Sequence, residues 1–89
     1  MGTDKPESLL KGKDIKFGAW KVYELEVNNT DYVTLEDFDS SKTLDVATMV
    51  KKDTRTSVTV TITLNKVTVA DAGVTATTPV LLFVVGIPA

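Results

Sequence analysis

The sequence predicts an all-β fold: a small antiparallel β-sandwich or barrel of about seven to eight strands with an extended N-terminal arm. Three observations point there. Thr occurs 14 times and Val 13 times in 89 residues, and β-branched side chains lose freedom in helices while packing well on a pleated surface. Apolar and polar residues alternate with period two along most of the chain, the spacing of a strand with one buried face. Short alternating runs are also separated by Asn, Asp, Gly and Pro clusters that favour turns.

Residues 1–14 carry six formal charges and no apolar stretch, so they read as an arm; a single helical turn over 6–11 is the other reading. Residues 15–89 form one β domain. Along 15–27 the odd positions Ile15, Phe17, Ala19, Tyr23, Leu25 and Val27 make a core face broken only by Lys21, while Trp20, Val22, Glu24 and Glu26 point the other way. Asn28-Asn29 suits the left-handed backbone of a tight hairpin, which predicts an antiparallel return over 31–37 with Val33 and Leu35 inward. An acidic turn follows at 36–41. Leu44, Val46, Thr48 and Val50 then alternate with Asp45, Ala47, Met49 and Lys51. A helix from Ser41 would also align Leu44, Ala47 and Lys51, and the Thr and Val content decides for the strand.

The polar stretch 52–55 predicts a turn into the clearest pattern, Val58, Val60, Ile62 and Leu64 alternating with Thr59, Thr61 and Thr63. The phase changes at Asn65-Lys66, and a one-residue bulge would return Val67 and Val69 to the same face. A two-residue turn is the alternative, disfavoured because it would put Lys66 at positive φ. Asp71-Ala72-Gly73 reads as a hairpin loop with Gly73 left-handed, returning over 74–77. Pro79 precedes a final strand over 80–87.

Size and composition exclude several functions. A domain of 89 residues buries roughly 63% of its unfolded surface, so shared burial in an oligomer is expected. A net charge of −2 argues against nucleic-acid binding by bulk charge. The absence of Cys and His removes thiolate chemistry, disulfides, the usual zinc and haem ligands and the commonest proton-transfer side chain. The reading is of a protein that is not an enzyme and needs no cofactor or metal. The polar opening does not resemble a secretory leader, and Pro6 occupies the place where a myristoylation signal needs Ser or Thr.

Charge is unevenly divided. Residues 57–89 hold only Lys66 and Asp71, whereas 1–56 hold the other 20 charged residues. Within the neutral third, Val80, Leu81, Leu82, Phe83, Val84, Val85 and Ile87 make a strand apolar on both faces. Such a run is too short for a membrane helix, and a lone strand leaves its backbone unsatisfied in lipid. Two readings follow: a central sandwich strand whose second face lies under the arm, or a strand with one face against another subunit. The second is preferred, with Leu9, Leu10, Ile15 and Phe17 of the arm and its junction and Val80, Leu82, Phe83 and Val85 of the strand as interface residues.

Other groupings are better explained by ordinary surface chemistry. Thr59, Thr61 and Thr63 make a T-x-T ladder of the ice-binding kind, but only one strand long. Asp37, Asp39 and Ser41 open like a calcium loop, yet Lys42 stands where Gly is needed and Thr48 where a bidentate Glu belongs. Glu24, Glu26 and Glu36 could be imagined as paired carboxylates for glycoside hydrolysis, although Glu24 and Glu26 are better read as a wet strand face. Phe17, Trp20, Tyr23 and Tyr32 could stack on a sugar or single-stranded nucleic acid beside Lys13, Lys16 and Lys21, but Glu24, Glu26 and Asp31 cancel that field. Asn28-Asn29-Thr30 fits a glycosylation pattern common by chance.

A short charged arm, a Thr/Val-rich β body and the apolar close TATTPVLLFVVGIPA resemble the small decoration or cement proteins of tailed-phage heads. The resemblance covers the layout of the whole chain. It implies an enzymatically inert virion protein on the outer capsid surface, often trimeric, that clamps neighbouring capsid subunits. Residues 1–16 would then be the capsid-contacting arm and 80–87 the subunit-contacting strand. The alternative is a soluble β-sandwich binding or adhesion module, cytoplasmic or extracellular, holding a peptide or glycan.

Overall fold

Eight strands arrange themselves in two antiparallel sheets in the computed structural model, which describes residues 2–5, 9–15 and 18–89, with 9–15 and 18 as backbone alone. They are β1 (Leu9–Ile15), β2 (Gly18–Val27), β3 (Tyr32–Thr34), β4 (Val46–Lys51), β5 (Ser57–Val58), β6 (Val60–Thr63), β7 (Lys66–Val69) and β8 (Thr78–Gly86). One sheet has the order β1-β2-β8-β4-β5 and the other β3-β7-β6. The chain passes from β5 to β6 through Thr59, so a single run of residues serves both sheets and can equally be counted as one strand that changes sheet. The all-β prediction holds, as an open two-sheet structure and not a closed barrel.

The core forms where the inner faces meet. Ala19, Tyr23, Leu25 and Val27 of β2, Met49 of β4 and Val80, Leu82 and Val84 of β8 pack with Val33 of β3 and Val67 and Val69 of β7. Leu35, Phe38 and Leu44 complete the core from the connection between β3 and β4. Each fully buried side chain of this size contributes about 1.5–3 kcal/mol of transfer free energy. Tyr23 is wholly buried, and its hydroxyl donates to Asp37 Oδ2 at 3.1 Å, which satisfies the polar end of an otherwise apolar ring. Gly86 lies where β8 passes closest to Phe38 and Leu44: a Cβ there would stand 2.9 Å from Phe38 Cδ1 and 3.0 Å from Leu44 Cδ2.

Several local expectations are corrected. Of the arm expected over 1–14, the described residues join the sheets: Leu9–Ile15 pairs with β2 and Asp4 forms a parallel bridge with Tyr32. Asn28-Asn29 does not close a hairpin. Asp31 Oδ2 accepts from Asn28 N at 2.9 Å, Thr30 takes φ 72°, and the chain crosses so that β3 pairs with β7. No bulge occurs at Asn65-Lys66; Thr63 pairs with Lys66 across a two-residue turn whose positive φ, 51°, falls on Leu64. The turn is held by buried Asn65, whose Nδ2 donates to the Leu35 carbonyl at 3.1 Å. Gly73 does not adopt positive φ, because Asp71 Oδ1 accepts from Gly73 N at 2.9 Å and fixes the loop in another conformation. Residues 74–77 form no strand, although Val74 is buried.

Candidate interaction surface

Strand β8 lies between β2 and β4, with Val22 and Thr48 directly opposite Phe83 and with Trp20 and Val46 directly opposite Val85. Opposed residues in a ladder share a face, so these six side chains share the outer face of the five-stranded sheet. Val46 is 48% exposed and Phe83 41%; Trp20, Val22 and Val85 are half-buried. Ile87, two residues beyond Val85, is also exposed. A mostly apolar zone therefore occupies one end of the sheet face on β2, β8 and β4, with the β1 positions 13 and 11 in register beside Trp20 and Val22.

The other end is closed. Glu24 is opposite Leu81 on β2, and Lys52, whose N–H donates to the Pro79 carbonyl at 2.9 Å, continues the β4 side. The Lys52 ammonium donates to Glu24 Oε2 across β8. An exposed ion pair contributes at most about 1 kcal/mol, but the aliphatic stem of Lys52 covers apolar surface on its way, and Leu81 is only 9% exposed.

Parity along β8 sorts the expected interface residues. Val80 and Leu82 are wholly buried in the core and are corrected to core residues; Phe83 and Val85 are on the outer face. Leu9, Leu10 and Ile15 contribute only backbone to the description, in β1 at the sheet edge, and Phe17 lies outside the described residues. Sequence reasoning missed Trp20, Val22 and Val46 as members of the same surface. The alternation of β2 had placed Trp20 and Val22 away from the core, but only the strand order sets them beside Phe83.

The remaining groupings are dispersed. Trp20 and Tyr23 face opposite sides of β2, and Tyr32 belongs to the other sheet, where the Lys66 ammonium stands 5.0 Å above its ring. Thr59, Thr61 and Thr63 are exposed at and beside β6. In the acidic turn, Asp37 accepts from Tyr23, while Asp39 Oδ1 accepts from Ser41 N and Oγ at 2.9 and 2.7 Å. The Ser41 hydroxyl and amide hold the Asp39 carboxyl below its ordinary pKa. Asp71 is also lowered, by the N–H groups of Thr59 and Gly73. Among the described residues no three carboxylates converge on a metal-sized site, and no helix is long and apolar enough to cross a membrane. A shallow, open depression of about 480 Å³ is lined by Thr34, Glu36, Phe38, Asp39, Ser40, Asn65 and Ala89. Phe38 and Asn65 in its lining are buried members of the fold.

No protein-family model, curated protein or solved structure matches this chain.

Proposed function

We propose that this chain is a non-enzymatic structural protein of a viral particle, decorating a capsid and stabilising it by added contact area. The observation that carries the reading is the apolar outer face around Phe83, with Val46 and Val85 beside it. Three strands about 4.8 Å apart, with the apolar stretch some four residues long, give a zone of about 14 Å by 14 Å, near 200 Å² per copy. A standard stable interface buries about 800 Å² per partner. One such contact is therefore weak, and it gains strength where many copies bind a symmetric surface together. The chain's lack of His and Cys, the Asp37 carboxylate accepting from Tyr23 and that of Asp39 accepting from Ser41 in its own turn fit a protein that acts by contact.

Light scattering over a wide concentration range, followed by co-sedimentation with capsids, tests the proposal on the wild type and on Phe83→Thr. Oligomerisation or particle binding that disappears in a folded Phe83→Thr protein is the expected result. A wild type that stays monomeric and ignores particles, or a variant that binds equally well, refutes it.

A further inference from the structure

Buried Asn65 leaves one polar atom unsatisfied beside the open depression of about 480 Å³ whose lining it joins. The residue is only 7% exposed. Its Nδ2 donates to the Leu35 carbonyl at 3.1 Å and, more weakly, to the Phe38 carbonyl at 3.5 Å. That fixes the amide, and its other end, Oδ1, accepts from no donor among the described residues. A buried acceptor is ordinarily paired with protein, water or a bound group. The remaining polar lining is of acceptor character too. Glu36 is exposed and has no ion-pair partner among the described residues. Asp39 gives Oδ1 to the Ser41 amide and hydroxyl, while no described group donates to Oδ2. Thr34 and Ser40 add hydroxyl oxygens. The lining itself holds no cation: Lys42 acts on Asp39 from outside it, and the Lys66 ammonium stands over Tyr32.

We infer that this depression is a binding site for the guanidinium group of an arginine carried by a partner protein. Its volume of about 480 Å³ is in the range of ligand sites, roughly 300–1,000 Å³. A hard divalent cation wants a closed shell of six or more oxygens, and among the described residues no three metal-binding side chains come together. A guanidinium presents N–H donors in a fixed planar fork and accepts none, so it suits separated oxygens better than the compact ammonium of lysine does. Its bonds to Glu36 and Asp39 would be charge-assisted, and one N–H would satisfy Asn65 Oδ1. Free arginine also brings a carboxylate that Glu36 and Asp39 repel, which an arginine within a chain lacks. The site shares no residue with the zone around Phe83, and the inference stands apart from the capsid reading.

Titration of the isotope-labelled full chain with N-acetyl-arginine amide, followed by NMR, tests the site. The Asn65 side-chain amide and the backbone amides of Glu36, Asp39 and Ser40 are expected to shift saturably, with a Kd in about the millimolar range for so small a ligand. The neutral citrulline analogue, the lysine analogue and free arginine should each bind at least about fivefold more weakly. Glu36→Gln/Asp39→Asn should weaken binding of N-acetyl-arginine amide about tenfold. Glu26→Gln/Asp53→Asn removes the same charge elsewhere and should leave the affinity within about twofold, because exposed distant charges are screened. Glu36→Gln alone, at an exposed position, must weaken binding in the same direction if the double variant at 36 and 39 does not fold. Shifts that do not saturate at these residues, equal affinity for the citrulline or lysine analogue, or equal losses in the two double variants overturn the inference. Equal affinity for free arginine overturns the assignment to an arginine within a partner protein.

Discussion

Neighbouring residues Leu82 and Phe83 offer the most direct test of which face of β8 is available to a partner. Leu82 is wholly buried, whereas Phe83 is 41% exposed. Leu82→Ala removes core contacts and leaves a cavity, at a cost of about 2–5 kcal/mol. Phe83→Thr introduces a β-branched residue suited to the strand and matches Thr48 opposite, so the change is mainly one of burial. Full burial of such a ring contributes about 1.5–3 kcal/mol; with rather more than half of it covered, the loss should be about 1–2 kcal/mol. For a domain of this size each kcal/mol moves Tm by about 4–8 °C. Thermal denaturation followed by far-ultraviolet circular dichroism should therefore show Phe83→Thr melting cooperatively, some 5–15 °C below wild type. Leu82→Ala should lose about twice the free energy that Phe83→Thr loses, by the midpoints of the same ranges. Equal losses in the two variants would mean that the outer face is packed like the core, and the surface reasoning would fail.

Three further outcomes follow from particular contacts. Gly86→Ala should destabilise by about 1–3 kcal/mol in urea titration, because the added methyl meets Phe38 and Leu44 in a filled core; an unchanged midpoint would refute that packing. Leu64→Gly should raise stability by up to about 1 kcal/mol, since an exposed side chain is removed from a residue at φ 51° where an L-residue is strained by about 1–2 kcal/mol; a lower midpoint would count against this. Burial of Asp31 opposes ionisation, but the N–H groups of Asn28 and Thr3 together with Lys5 outweigh it and lower its pKa. Because the folded pKa lies below the unfolded one, the stabilisation is complete above the unfolded value, about 3.9, and is lost as pH falls through the folded one. Protection of the Lys5 and Tyr32 amides, taken against the intrinsic exchange rate at each pH, should fall in that acid range in wild type, and Asp31→Asn should show the lowered protection already at neutral pH.

Much of the fold was legible because the alternation was clean. In β2 the inward set Ala19, Tyr23, Leu25 and Val27 is buried as the pattern required, and the turn at 52–55 is present. The interface residues of β8 were harder to sort, since a run apolar at every position carries no parity signal. Composition alone therefore groups Val80 and Leu82 with Phe83 and Val85, which face the other way. The connections misled for a different reason. Side-chain groups with both near and distant partners decide them: Asn65 bonds to the Leu35 carbonyl, and Asp71 takes the Gly73 amide with one oxygen and reaches Thr59 N at 3.1 Å with the other. Asp31 redirects the chain after β2 in the same way. Short-range turn preferences cannot report such partners.

The central position of β8 also sets an order of events during synthesis. The strand that joins β2 to β4 is made after both of them and after every other strand, so a growing chain holds two unpaired inner edges until Thr78–Gly86 has left the ribosome. Pairing across more than fifty residues between β2 and β8 is a long loop closure, the kind of contact that places small β proteins among the slower folders. During that interval the exposed edges can pair with other nascent chains. Yield in the cell should therefore depend on the speed and crowding of translation as well as on the stability of the finished fold.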